Sequence, residues 1–510
     1  MKRRIAMVVT AALLLALAAC TSKSTPVTAL GHVKTSGTGG TISWQPCNDV
    51  AQQVMNNQPV SGYTFSCGSV KVPQDWQHPS DGKTFQIAVV RVHNNAETSP
   101  LGSLLVNPGG PGASGVDAAI QLTQEMPNAI THRFDLIGFD PRGVSRSDPV
   151  ECLSPAEEDA TYAAEPDPVS QAAFNQLVTL TKQLEAACGT KYGAQLKLFS
   201  TEQAARDIDA IRIGLGEQKI NFLGYSYGTL LGAVYAELFP RNFRAMVLDG
   251  AIDPTQSLTA RSESQALGFQ RAFNDFVNWC KSNPIQCPIS DNPAGDVTAA
   301  IQHARTAPLT YTDGRKVTSG WVYLAVIQSM YLKAFWPILG QSIALISHGN
   351  PAGVMQLADE YAERSPDGKY SNLLDANLAV NCADFASEPS VAEIRKLQSQ
   401  WRAKYPMFGA PSALGLLSCA PGEWPGGDDP YPVGKALGAP PILVVGTRND
   451  PATPYEGTAK LANMLGVGEV LTWDGDGHTA YPQTPCITNA VDNYLLNLTM
   501  PPQNTECPAS

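Results

Sequence analysis

The segment Gly224-Tyr225-Ser226-Tyr227-Gly228 restricts this chain more than any other stretch of it. Glycines two residues to either side of a serine suit a turn too sharp for larger neighbours. The surroundings say which turn. Asn221-Phe222-Leu223 reads as a buried strand, and Thr229 to Phe239 as a helix. A strand that enters a helix through so tight a corner presents the Ser226 hydroxyl above the sheet edge. The helix N-terminus beside it favours a developing negative charge. Gly-x-Ser-x-Gly is weak as a bare pattern and occurs once here. Its placement makes Ser226 the expected nucleophile. A packing turn between strand and helix is the plain structural alternative.

The pattern on both sides agrees with such a corner. Residues 84–92 alternate as a strand, and Leu104-Leu105-Val106 is a short apolar run before a Gly/Pro turn. Phe134 to Asp140 and Met246-Val247-Leu248 are further strand candidates. Ala204, Ile208, Ile211 and Leu215 follow helical spacing. Strands alternating with helices predict a mostly parallel sheet with helices on both faces. Residues 256–435 differ, with helical stretches at 267–280, 321–333, 352–363 and 391–403 and few strand signals. The alternation returns with a strand over Pro441 to Gly446, a helix over Thr458 to Leu465 and a strand over Glu469 to Trp473. The expected fold class is therefore α/β. Two parts of one core, 42–255 and 436–510, are divided by a large helical cap insertion, 256–435. With 43% hydrophobic residues over 510 positions, the chain can bury a large core.

The N-terminus predicts export. Lys2-Arg3-Arg4 precedes an apolar run from Ile5 to Ala19, too short to span a bilayer. Leu17-Ala18-Ala19-Cys20 resembles a bacterial lipoprotein signal, with residues 1–19 removed and Cys20 acylated. An ordinary secretory signal is the alternative. Residues 20–41 would then be a flexible tether holding the protein to the extracytoplasmic face of the cell membrane. A formal charge of −11 makes nucleic acid an unexpected partner. The cysteine count fits export, because removing Cys20 from 11 leaves an even number for disulfides. Pairing neighbours in sequence is simplest: Cys47–Cys67, Cys152–Cys188, Cys280–Cys287, Cys382–Cys419 and Cys486–Cys507. The sequence leaves other connectivities open. No Cys-x-x-Cys or Cys/His cluster suggests a metal.

A serine hydroxyl needs a base. Among the seven histidines, His478 alone follows a late strand, in the loop Asp474-Gly475-Asp476-Gly477-His478. The chain order nucleophile, acid, histidine selects it. The acid that orients the imidazole is expected at a strand end before it. Asp450, after the strand Pro441 to Gly446, is the choice, and Asp249, after Met246-Val247-Leu248, is its rival. Asp474 and Asp476 lie too close to His478 in sequence to hold it from behind. The oxyanion hole is expected from the backbone N–H of Tyr227 and a second N–H in Asn107-Pro108-Gly109-Gly110-Pro111-Gly112. Gly110 is favoured and Gly109 is the alternative.

Together these motifs resemble the tripeptidyl-aminopeptidase-like branch of the proline iminopeptidase group of α/β-hydrolases. The matching pieces are Asn107 to Gly112, Asp140-Pro141-Arg142-Gly143-Val144-Ser145, Gly224 to Gly228, Asp450-Pro451-Ala452-Thr453-Pro454 and Gly477-His478. The likeness runs from about Trp44 to Cys507. Proline iminopeptidases proper carry His-Gly-Gly-Pro-Gly, and Pro108 stands where that histidine would be. The glycine donors survive this departure, but a preference for N-terminal proline does not follow. The resemblance implies release of residues or short peptides from a free peptide N-terminus. It also implies a carboxylate that reads the ammonium group, for which Asp384, in Asn381-Cys382-Ala383-Asp384, is the candidate. Arg142 is expected to be structural, tying the oxyanion loop to the core. Thr453 is given no catalytic role.

The reading is a serine hydrolase acting through an acyl-enzyme on a peptide or small ester, with no metal or organic cofactor. An esterase or lipase acting on envelope lipids uses the same triad and is the first alternative. A catalytically inactive, ligand-binding lipoprotein is the second.

Overall fold

Alternating and apolar stretches become strands because the backbone groups of each find partners in a neighbour. The computed structural model describes residues 41–58, 60–97, 99–385, 389–419 and 431–509. Cys20, the signal and all but the last residue of the tether lie outside the described residues. Among the described residues twelve strands are formed: β1 (Gln45–Pro46), β2 (Tyr63–Pro73), β3 (Thr84–Asn94), β4 (Ser103–Asn107), β5 (Asp135–Phe139), β6 (Ile220–Tyr225), β7 (Phe243–Asp249), β8 (Leu309–Thr310), β9 (Lys316–Val317), β10 (Ile442–Asn449), β11 (Gly468–Asp476) and β12 (Thr505–Cys507). Ten make one sheet in the order β1-β2-β3-β5-β4-β6-β7-β10-β11-β12. From β5 through β12 every neighbouring pair is parallel, and β1, β2 and β3 join antiparallel at one edge.

Successive side chains leave a strand on opposite faces. Leu105, Ile137, Phe222, Met246 and Val444 therefore enter one core layer. Leu104, Val106, Leu136, Leu223, Val247 and Val445 enter the other. Helices cover both faces, as the central strands require. The chain passes from β4 to β5 on one side and then crosses to β6 on the other. The carboxyl ends of β4 and β6 thus flank a switch in strand direction, where such sheets form a crevice.

The described residues between β7 and β10 are mainly helical and pack over the sheet as a cap. Its long helix Leu258–Ser282 places Phe269, Phe273, Phe276 and Cys280 on one stripe, packed with Trp321, Trp336 and Phe408. The small β8–β9 hairpin belongs to this part. Two helices from an earlier part of the chain pack with it. Helices Pro155–Tyr162 and Gln171–Tyr192 stand between β5 and β6 in sequence, yet Phe174 packs with Ala266, Ile394 and Trp401, and Tyr162 packs against the Trp321 cluster. Their apolar faces find partners only in the fold, so local periodicity could not assign them.

Among the described residues, five disulfides join the neighbour pairs expected from the sequence. Each restricts the unfolded chain and contributes on the order of 2–4 kcal/mol. Among the described residues, no helix is long and apolar enough to cross a membrane.

Arg142 is structural, but its anchor is not the oxyanion loop. It lies fully buried and forks onto Asp207, Nε to Oδ2 at 2.7 Å and Nη2 to Oδ1 at 2.6 Å. Nη1 donates to the carbonyls of Gln74 and Leu198, and Nη2 to that of Pro73. The residue ties the end of β2 to the helix Thr201–Leu215. Arg142→Met is expected to leave Asp207 a buried, unpaired carboxylate and cost about 3–5 kcal/mol. Urea unfolding measures this; a loss below about 1 kcal/mol would contradict the pairing argument.

Candidate active site

The corner at Ser226 has the predicted backbone. Ser226 has φ 54° and ψ −120°, between the last residue of β6 and a helix that begins at Tyr227. A positive φ at a non-glycine residue is strained and needs support from its surroundings. The support is visible. The Ser226 N–H donates to the Asp249 carbonyl at 2.8 Å, and the Thr229 N–H and hydroxyl donate to the Ser226 carbonyl at 2.9 and 2.7 Å. The flanking glycines serve close approach. A methyl at Gly224 would meet the Gly228 carbonyl oxygen at 2.3 Å, and one at Gly228 would meet Asn107 Oδ1 at 2.8 Å.

The loop after β4 lies against this corner. A methyl at Gly109 would fall 2.8 Å from Ser226 Cβ. The Gly109 N–H is already given to Asn107 Oδ1 at 3.1 Å. Gly110 lines the cleft beside Ser226 and Tyr227. The geometry therefore prefers Gly110 to Gly109 as the loop's donor. Tyr227, as first residue of its helix, has an N–H without an intrahelical acceptor. Asp140 holds the other end of the loop. Its Oδ1 accepts from the Ser114 hydroxyl at 2.6 Å and the Val116 N–H at 3.1 Å. Asn377 of the cap donates to the Pro111 carbonyl at 2.9 Å. Asn107, Asp140 and Asn377 shape the loop, and the sequence reading named none of them for that role.

Asp450 follows β10 and His478 follows β11. Their neighbouring parallel strands bring the two residues together at the sheet's carboxyl edge. His478 Nδ1 lies 2.9 and 3.0 Å from the two Asp450 carboxylate oxygens. Asp450 also accepts the N–H groups of Ala452, Thr453 and Thr479 at 2.9, 2.8 and 3.2 Å. These bonds hold a charged carboxylate in a buried position. Thr453 Oγ1 stands 3.4 Å from Nδ1. Burial alone would pull the His478 pKa down. The charge and hydrogen bond of Asp450, with the Asp249 charge behind them, hold it above the ordinary imidazole value. The cap touches the base as well, since the Tyr331 carbonyl accepts the His478 N–H at 2.8 Å and its ring meets the imidazole edge-on. Asp476 shapes this loop, pairing with Lys333 and accepting from Asn449.

Ser226 and His478 are neighbours through Asp249 and Gly250. A methyl at Gly250 would meet His478 Cε1 at 3.3 Å, one residue from the carbonyl that holds Ser226. No hydrogen bond joins the Ser226 hydroxyl to His478 among the described residues. In such sites that contact often tightens only with substrate bound. The rival Asp249 does not bond the imidazole; its carboxylate accepts the N–H groups of Ala480 and Tyr481 instead.

A cleft of about 440 Å³ opens over Ser226, Tyr227 and Gly110. Phe269, Tyr331 and Tyr361 of the cap form apolar wall, and Asn377 and Asn381 polar wall. Among the described residues, two carboxylates line it, Asp253 paired with Lys460 and Glu456 paired with Arg271.

Asp384 does not line this cleft, which corrects the expectation for it. It borders a separate polar cavity of about 410 Å³ with Asp75 and Glu202. Its oxygens accept the Thr201 N–H at 2.8 Å and hydroxyl at 2.5 Å. Thr201 Oγ1 in turn lies 2.7 Å from the Tyr227 hydroxyl. Asp384 thus caps a helix and braces the side chain of Tyr227 from behind. Burial pushes its pKa up to about 6. Among the described residues, Cys152, Cys188 and Asp375 lie close enough together to suggest metal ligands, but both sulfurs are committed to a disulfide.

The chain is similar to known proteins over most of its length. A family model described as TAP-like protein matches residues 405–507, the part that carries Asp450 and His478. The chain is 36% identical over 492 residues to Serine protease Hip1 of Mycobacterium tuberculosis, covering 92% of this chain and 91% of that protein. It is 36% identical over 479 residues to Carboxylesterase B of the same organism, covering 91% and 89%. It is 30% identical over 448 residues to Tripeptidyl aminopeptidase of Streptomyces lividans, covering 85% and 81%. With a sheet, cap and elbow of this form and relatives matched over nearly their whole length, the chain belongs to the tripeptidyl-aminopeptidase-like family of α/β-hydrolases and is a serine peptidase.

Proposed function

We propose that the protein is an exported aminopeptidase that releases short peptides or residues from free peptide N-termini, with Ser226, His478 and Asp450 as its catalytic triad. The observation that carries this reading is the Asp450–His478 pair set beside a strained serine corner, under a cap that leaves one bounded cleft over Ser226. Ser226 Oγ attacks the scissile carbonyl carbon while His478 Nε2 takes its proton. The tetrahedral oxyanion is held by the N–H groups of Gly110 and Tyr227, each contributing about 3–4 kcal/mol. His478 then gives the proton to the leaving amine, and the acyl-enzyme forms as the carbon–nitrogen bond breaks. Water, deprotonated by His478, attacks the ester and restores Ser226.

The ammonium of a substrate must meet a carboxylate in the cleft. Among the described residues, Asp253 and Glu456 are the two at its wall. Five disulfides support folding in an oxidising compartment, which fits export and acylation of Cys20. The test compares tripeptidyl amides with free and acetylated N-termini. We expect kcat/KM to fall at least about 100-fold on acetylation, because the ammonium contact is lost. Equal cleavage of both would point to an endopeptidase.

A second reading, ester hydrolysis, is favoured by the relative named Carboxylesterase B, as similar as the peptidase. Fast turnover of acyl esters with no amide cleavage would establish it instead.

A further inference from the structure

Asp249, weighed as the triad acid, is free of that task but not idle. We propose that Asp249 is a positioning residue that fixes the nucleophile and the general base relative to each other. The inference rests on the triad reading above. Its backbone carbonyl accepts the Ser226 N–H at 2.8 Å, which holds the strained corner. Its carboxylate reaches the other partner's loop. Both oxygens lie 3.0 Å from the Ala480 N–H, and Oδ2 lies 2.8 Å from the Tyr481 N–H. One residue therefore grips both halves of the reacting pair.

The loop it grips needs holding. Thr479, directly after His478, has φ 66°. A β-branched residue there is a true outlier and persists only where its surroundings over-determine it. Three successive N–H groups point at two carboxylates, Thr479 at Asp450 and Ala480 and Tyr481 at Asp249. The carboxylates come from the ends of paired strands β10 and β7. Successive N–H groups arranged this way make an anion-binding concavity, and here the anion is built in. Between them, the two acids orient the imidazole from its ring and from its backbone.

Asp249 is fully buried. Burial pushes its pKa up to about 7, against the pull of the Tyr481 and Ala480 hydrogen bonds; the Asp450 charge raises it and the His478 charge lowers it. The groups that face it are Tyr225 at the end of β6, Asp450 after β10, and His478 and Tyr481 after β11. An ionised Asp249 favours the imidazolium form of His478. The acidic limb of the wild-type rate profile should therefore contain two coupled titrations.

The test uses the full chain and a tripeptidyl amide substrate. In Asp249→Asn, kcat should fall about 10- to 100-fold through misplacement of the pair. The acidic limb of kcat/KM should become a one-proton limb and move to lower pH, because the charge that favoured imidazolium is gone. A folded variant with kcat within about threefold of wild type overturns the proposal. So does a lowered kcat with an unmoved limb, which is all a merely structural role would produce. If the variant does not fold, hydrogen exchange in the wild-type protein decides. Protection of the Ala480 and Tyr481 amides, corrected for intrinsic exchange, should drop as pH falls through about 7. Constant protection overturns the proposal. Failure of the triad reading is separate: it would show as Ser226→Ala retaining turnover.

Discussion

Ser226→Ala is expected to lower kcat for amide cleavage by about 10⁴- to 10⁶-fold while the protein stays folded. The loss is this large because the acyl-enzyme route disappears with the hydroxyl. What remains is whatever the oxyanion N–H groups and substrate binding give to attack by water. The fold should tolerate the change. The corner is held through backbone atoms, the Ser226 N–H on the Asp249 carbonyl and the Ser226 carbonyl on Thr229, and alanine keeps both. The strain at φ 54° is the same for both side chains. Turnover and labelling by a fluorophosphonate probe read the effect together. Labelling that persists in Ser226→Ala would place the nucleophile elsewhere. Absence of labelling in the wild type would revive the inactive, ligand-binding alternative.

Asp450→Asn should cost about 10⁴-fold in kcat with little change in KM. The carboxylate accepts from His478 Nδ1 and from three backbone N–H groups. An amide keeps one acceptor oxygen and adds an NH₂ group. Turned toward the imidazole, that group donates to Nδ1 and forces the proton onto Nε2, where the base must be free. Turned away, it faces N–H donors. The pH profile supplies the sign. His478 acts as base only when neutral, so activity rises as pH rises through its pKa. Asp450 helps to hold that pKa above the ordinary value. Its neutralisation should move the acidic limb to lower pH even as the plateau falls. If kcat stays within about tenfold of wild type, Asp249 takes the role of the acid, and the two variants exchange their expected effects.

The features legible before folding were those written in a few consecutive residues. The corner at 224–228 needs small neighbours because its backbone atoms touch, and the contacts at Gly224 and Gly228 show this. Strand runs such as Leu104 to Val106 and Met246 to Leu248 were legible because both faces of a central strand are buried. The neighbour pairing of cysteines held because each pair closes a short loop, the longest separated by 37 residues. Edge strands and the helices at 155–162 and 171–192 were not legible. Their signal is half polar, and the apolar half is explained only by a partner elsewhere in the chain.

By itself, then, the sequence determined the fold class and the serine corner, and it put a candidate acid and a candidate histidine after the serine in chain order. Backbone sterics and local periodicity specify these over few residues, whereas the cysteine partners, simplest as neighbours, were left open until the fold paired them. Only the tertiary structure decided what each remaining polar group is for. Thr201, 183 residues away, occupies Asp384, which an open cleft would have needed for an ammonium. Arg142 turned out to clasp Asp207 and the end of β2 rather than the oxyanion loop. Gly109 was separated from Gly110 by a single acceptor on Asn107. The two candidate acids were told apart by which N–H groups they meet, the ring of His478 for Asp450 and the loop behind it for Asp249. A carboxylate's role depends on the donors that surround it. Those donors come from strands and loops that only the packed sheet brings together.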